Sequence, residues 1–164
     1  MLNAPAILRQ LTDHNVKFVV IGDMAMVSHG SAHVTDDLDV CYSRTEKNIA
    51  AVAAALADLH PYLRGVPEGL PFRWDIATIQ AGLNFTLRTD LGPVDFLGEV
   101  AGVGSYEQVL AQSEEQEIYG IPVRVLSLDG LIAAKKAAGR NKDQAHVLEL
   151  EELKKLRDAA QGET

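Results

Sequence analysis

Phe18-Val19-Val20-Ile21-Gly22-Asp23 and, after thirteen intervening residues, Asp37-Leu38-Asp39-Val40 decide how this chain is read. The first segment is β-branched and aromatic, then stops at a glycine, which reads as a buried strand ending in a tight turn. In the second, side chains of a strand over 37–42 alternate between faces. Asp37 and Asp39 then point one way, while Leu38 and Val40 point into a core. Val94-Asp95-Phe96 repeats the pattern with one carboxylate, and a neighbouring strand would set Asp95 beside the pair. Three carboxylates that close repel one another and take up protons more readily unless a cation neutralises them. The arrangement therefore points to a divalent metal. The competing reading makes Asp37 and Asp39 turn or solvent-face residues, as most aspartates are.

Working outward, residues 4–14 have helical spacing (Ile7, Leu8, Leu11), and 17–21 form the strand that ends at Gly22. A short helix over 23–29 and a polar loop over 30–35 lead to the Asp37 strand. Ser43 and Glu46 have the form of a capping box for an alanine-rich helix over 46–59. The Pro- and Gly-containing stretch 61–71 reads as a loop, and 75–81 fits helix or strand. Strands over 83–89 and 94–98 flank the turn Asp90-Leu91-Gly92-Pro93 as a hairpin. Ser105 and Gln108 suggest a second capping box for a helix over 106–112. Strands over 115–119 and 122–126 form a second hairpin, and helices over 128–138 and 142–160 follow, separated by Gly139 as a C-cap. The expected fold class is α+β: a small mixed β-sheet flanked by helices, with helices at the C-terminus. Residues 1–126 would form the core, and 127–164 a helical segment packed on the same domain. Val147, Leu148, Leu150, Leu153 and Leu156 on the last helix would complete that core or form a dimer contact.

Bulk properties narrow the class. A chain of 164 residues suits one domain. An apolar content of 47% and a mean hydropathy near zero are those of an ordinary folded protein. No apolar run reaches the length of a membrane span, and the first residues lack a basic-then-apolar signal pattern. A single cysteine, Cys41, fits a reducing cytoplasm. The absence of Cys-x-x-Cys and His-Glu-x-x-His argues against the common zinc motifs. A net charge of −8 argues against broad DNA binding. Charge is uneven, however: residues 131–142 hold Lys135, Lys136, Arg140 and Lys142 with no acid, a cluster suited to a small polyanion.

Taken in order, these residues resemble the nucleotidyltransferase superfamily related to DNA polymerase beta. There a Gly-Gly or Gly-Ser pair closes the first strand, a hydrophobic-flanked Asp-x-Asp/Glu follows, and a third carboxylate lies on a later strand. The minimal bacterial branch, with its abortive-infection and toxin–antitoxin members, is similar to His29-Gly30-Ser31 and Thr35-Asp36-Asp37-Leu38-Asp39. It is also similar to Leu131-Ile132-Ala133-Ala134-Lys135 and Gly139-Arg140-Asn141-Lys142-Asp143. The resemblance implies transfer of a nucleoside monophosphate from a nucleoside triphosphate to an RNA, protein or small-molecule acceptor. It implies Mg²⁺ or Mn²⁺ on Asp37, Asp39 and Asp95, with Asp95 beside the nucleophile. Gly22 would let the triphosphate approach the backbone. Lys135 would contact it, and Arg140 and Lys142 either contact it or lie on a solvated helix face paired to Asp143. A cognate toxin or antitoxin is the implied protein partner. The alternative is a weak or inactive family member that acts by binding.

Two positions depart from the pattern. Asp23 stands where the family has Gly or Ser; as a helix N-cap it would occupy the N–H groups that a phosphate uses, and it adds a negative charge. Contact with a metal is the other option for Asp23. His33 stands where relatives usually have Arg, and an imidazole helps a phosphate less than a guanidinium does; the loop could also be a plain surface turn. Elsewhere, Cys41 reads as a small core residue. Gly102-Val103-Gly104-Ser105 lacks the third glycine of a dinucleotide loop, and no P-loop is present. Asp36-Asp37-Leu38-Asp39 lacks the EF-hand spacing. His14, His29, His60 and His146 show no recurrent spacing, although His29 could shape the loop before the aspartates. Trp74 reads as a core or loop anchor.

Overall fold

Buried strands at the centre of a mixed sheet position everything else. In the computed structural model, which describes residues 1–162, the elements alternate along the chain. Helix α1 (Ala4–Asp13) buries Ile7, Leu8 and Leu11 and is capped by the Asn3 side chain, with Pro5 in its first turn. Strand β1 (Phe18–Ile21) is buried along its whole length, which is why its sequence is continuously apolar. Helix α2 (Gly22–Ser28) follows without a loop, and β2 (Leu38–Tyr42) comes after the polar segment.

The alanine-rich helix α3 spans Glu46–Leu56 and tightens into a 3₁₀ turn at Ala57–Leu59. Its N-cap is Thr45, whose hydroxyl accepts the Asn48 N–H; the expected Ser43–Glu46 box does not form. Ser43 is instead buried, and its carbonyl accepts from the Asn48 side chain at 2.7 Å. A two-residue strand β3 (Tyr62–Leu63) lies inside the stretch expected to be loop, and 75–81 resolves as helix α4 (Ile76–Ala81) capped by Asp75. Strands β4 (Asn84–Thr89) and β5 (Gly92–Leu97) form the hairpin, with Gly92 and Pro93 inside β5.

A small ribbon, β6 (Glu99–Val100) with β7 (Gly104–Ser105), occupies the glycine-rich turn. Helix α5 (Tyr106–Ala111) carries the Ser105–Gln108 capping box as expected. Strands β8 (Ser113–Ile118) and β9 (Ile121–Leu126) make the second hairpin. Helices α6 (Leu128–Ala138) and α7 (Asn141–Gly162) close the described chain, with Gly139 at φ 67° as the left-handed cap between them. The final two positions of the expected C-terminal segment lie outside the described residues.

The main sheet has seven strands in the order β3-β4-β5-β2-β1-β9-β8. Pairs β1–β9 and β2–β5 are parallel and the other neighbours antiparallel, so the sheet is mixed. It is larger than the expected set of six strands by β3. Trp74 packs edge to face on Phe85 and tilted on Phe96, anchoring the stretch before α4. Leu131 of α6 and Leu150 of α7 join the core, whereas Leu148 and Leu156 stay on the surface. No helix among the described residues is long and apolar enough to cross a membrane.

Candidate active site

Register brings the carboxylates together. In the parallel pair β2–β5, Asp39 lies opposite Asp95, and Leu38 opposite Val94. In the antiparallel pair β1–β2, Ile21 lies opposite Asp39, so the chain leaves β1 at Gly22 directly beside that carboxylate. Gly22 has φ +65°, and a Cβ there would overlap Asp39 Oδ2. Both the turn and the close approach therefore require glycine. Asp37 sits one residue ahead of β2 and is held by Thr35, whose hydroxyl donates to the Asp37 carbonyl at 2.8 Å. One oxygen from each of Asp37, Asp39 and Asp95 lies within 4.8 Å of the others.

This packing has an electrostatic cost. Burial, then the charges of Asp37 and Asp95, push the Asp39 carboxyl up to about 7. Asp95 is also raised, chiefly by burial, with the neighbouring Arg64 guanidinium opposing the shift. Asp39 Oδ1 is buried without a hydrogen-bond partner. Such an acceptor-only oxygen among like charges suits a hard cation.

Arg64 supplies the nearby positive charge. Its Nη2 lies 2.8 Å from Asp95 Oδ1 and 3.8 Å from Asp37 Oδ2. Nη1 donates to the Leu87 carbonyl at 2.9 Å, and the backbone N–H donates to Thr86. Sequence reading missed Arg64 because it lies in an apparent loop; only β3 pairing onto β4 carries it to the cluster.

The residues expected to meet a triphosphate divide. Lys135 of α6 is mostly buried and reaches Asp23 Oδ1 at 3.2 Å and Asp143 Oδ1 at 3.7 Å. Asp23 is not an N-cap: α2 begins at Gly22, the cap position is Ile21, and the Asp23 carboxylate faces Lys135 and His33 instead. Arg140 is committed to the buried Asp143, with Nε to Oδ2 at 2.6 Å and Nη2 to Oδ1 at 3.1 Å. Lys142 is exposed and makes no ion pair among the described residues, so the structure does not bring it into the cluster. A cleft lined by Gly22, Asp39, Leu97, Val100, Lys135 and Arg140 runs from the carboxylates to α6.

Cys41 and His29 sit inside the fold. Cys41 is fully buried and its thiol is pushed up to about 12 by burial, as a core residue. His29 accepts from or donates to neighbours inside the fold, with Nε2 at 2.8 Å from the Leu126 carbonyl. The loop bearing His33 is not a plain surface turn. Ser31 in it is buried and donates to Glu149 of α7 at 2.6 Å.

The family described as nucleotidyl transferase of unknown function (DUF2204) matches residues 2–161. The chain belongs to this family. It is a nucleotidyltransferase, as the resemblance of its ordered motifs implied. Solved structures share the fold. That of ANT(2")-Ia in complex with adenylyl-2"-tobramycin has a TM-score of 0.58 and 14% identity, covering 97% of this chain and 95% of that one. A putative nucleotidyltransferase from Thermotoga maritima has a TM-score of 0.53 and 15% identity, covering 97% and 96%. The solution structure of the antibiotic-resistance factor ANT(2'')-Ia has a TM-score of 0.54 and 15% identity, covering 97% and 89%. No curated protein matches the chain.

Proposed function

We propose that this nucleotidyltransferase moves a nucleoside monophosphate from a nucleoside triphosphate to an acceptor, with Asp37, Asp39 and Asp95 holding Mg²⁺ or Mn²⁺. The observation that carries the reading is the trio itself: Asp39 and Asp95 set side by side by strand register, Asp37 just ahead of β2, and Gly22 close against Asp39. Carboxylate oxygens are the donors these ions prefer, and the unpartnered Asp39 Oδ1 fits that role. When bound, such ions neutralise the carboxylates, lower the pKa of an attacking hydroxyl and hold the leaving pyrophosphate.

The chain's own groups do the rest. By the family resemblance Asp95 is assigned to the acceptor side, where its carboxylate would take the proton from the attacking hydroxyl. Gly22 gives phosphate oxygens access to the backbone. Lys135 is the cation that faces them, while Arg140 fixes α7 through Asp143 and Lys142 points outward. Leu97, Val100 and Leu131 give the cleft an apolar wall suited to a base. The bacterial segments matched at 29–39 and 131–143 support a cytoplasmic toxin–antitoxin or phage-defence setting, with an RNA, protein or small-molecule acceptor.

The test is label transfer. Each α-labelled nucleoside triphosphate is offered with Mg²⁺ or Mn²⁺, with bulk tRNA, cell lysate or tobramycin as acceptor. Label on one acceptor, reduced by about 10³-fold or more in Asp37→Ala/Asp39→Ala, is the expected result. A second reading, a weak or inactive family member acting by binding, is favoured by one contact: Asp23 already pairs with Lys135. Absence of transfer to every acceptor, with a protein partner retained, supports that reading.

A further inference from the structure

Beside the carboxylate trio, Asp23, His33 and His146 reach one point from three places: the first turn of α2, the following loop, and α7. One donor atom from each lies within 4.8 Å of the other two. Asp23 divides its carboxylate, with Oδ1 facing Lys135 Nζ at 3.2 Å and Oδ2 facing His33 Nε2 at 3.6 Å. The His33 and His146 rings meet edge to face, their centroids 4.9 Å apart and their planes at 79°. Two imidazoles on one tetrahedral ion, with metal–nitrogen bonds of about 2.0–2.1 Å, have centroids about 5 Å apart.

His146 adds an independent observation. It is only 8% exposed, and its Nδ1 is buried without a hydrogen-bond partner. A buried polar nitrogen left unpaired is uncommon and calls for an explanation. The loop is also fixed in place: the Ser31 hydroxyl donates to Glu149 of α7 and accepts the His33 N–H at 3.1 Å. His33 is therefore presented to α7 by hydrogen bonds on its own loop.

We propose that Asp23, His33 and His146 form a second metal site, distinct from the trio, for a divalent transition ion of the Zn²⁺ type. Two imidazoles and one carboxylate suit borderline ions, whereas Mg²⁺ prefers oxygen alone. Lys135 does not compete for the whole carboxylate, because its charge is shared between Asp23 and Asp143 and Oδ2 is left to the ion. Tetrahedral donors lie about 3.3 Å apart, so the Asp23–His33 pair at 3.6 Å is close to the needed spacing, and His146 offers a donor within 4.8 Å of both. Three protein donors leave a coordination position open to an added ligand. The two positions that depart from the family pattern, Asp23 and His33, thus belong to one constellation.

The full chain is dialysed against Zn²⁺ in the presence of excess Mg²⁺, and bound metal is measured directly, independently of transfer activity. The expected result is one Zn²⁺ per chain, with visible absorption bands of a nitrogen-ligated site when Co²⁺ replaces it. His33→Ala, at an exposed side chain, should weaken Zn²⁺ binding about 100-fold while leaving the zinc-free unfolding curve unchanged. Asp23→Asn is the second variant and should weaken binding likewise. Asp37→Asn/Asp39→Asn should still bind Zn²⁺ as the parent does. The proposal is overturned by no uptake in the parent, by undiminished uptake in both His33→Ala and Asp23→Asn, or by loss of uptake in the trio variant.

Discussion

Asp23 holds Lys135 across 3.2 Å, and that lysine is the cation facing the proposed triphosphate path. Replacing Asp23 by glycine removes a negative charge and frees the Lys135 ammonium from one of its two carboxylates. In buffer free of transition metals, ATP should bind about 10-fold more tightly to Asp23→Gly, a change of about 1.4 kcal/mol readable by calorimetric titration. Arg64 works in the opposite sense, easing the repulsion among Asp95, Asp37 and Asp39. Arg64→Gln should lower stability in chelator by about 1 kcal/mol in urea unfolding, and added Mg²⁺ should narrow the difference. The two residues differ in legibility. Asp23 stood out as a departure from a pattern, but its partner is set by where α6 packs. Arg64 carried no local signal, since the strand that delivers it is two residues long.

Among the elements, the β1–β2–β5 register and the α6–α7 joint carry the site. The alternation around Leu38 and Val40 was readable because both are fully buried while Asp39 between them is not. Cap chemistry was less certain: Ser43 and Thr45 both suit an N-cap, and Asn48 decides for Thr45 by donating its N–H there. At the joint, Asp143 is buried against Arg140, whose hydrogen bonds hold its carboxyl below the usual carboxylate range. A depressed folded-state value means that this stabilisation is present above the unfolded value, about 3.9, and is lost as pH falls through the folded value. Asp143→Asn should therefore cost about 2 kcal/mol at neutral pH. It should also remove part of the acid-induced loss of stability below about pH 4, as followed by thermal unfolding across pH.

For the whole molecule, mixed topology is what lets segments far apart in sequence meet. The parallel β2–β5 pairing sets Asp95 beside Asp39 across more than fifty residues, and α6 and α7 then bring Lys135 and His146 to the same end. Order and fold class were legible from the apolar runs and turn residues. Convergence of His146 on His33 was not, because no spacing in one chain reports contact between a loop and a distant helix. Gathering carboxylates where burial raises Asp39 to about 7 works against stability, as a placement kept for chemistry does. A paired comparison of Asp39→Asn with its parent tests this directly, by thermal unfolding in chelator and by nucleotidyl transfer in Mg²⁺. The variant is expected to be more stable by about 3 °C or more and inactive in transfer. An Asp39→Asn protein that transfers at the parental rate, or that is less stable in chelator, would contradict it.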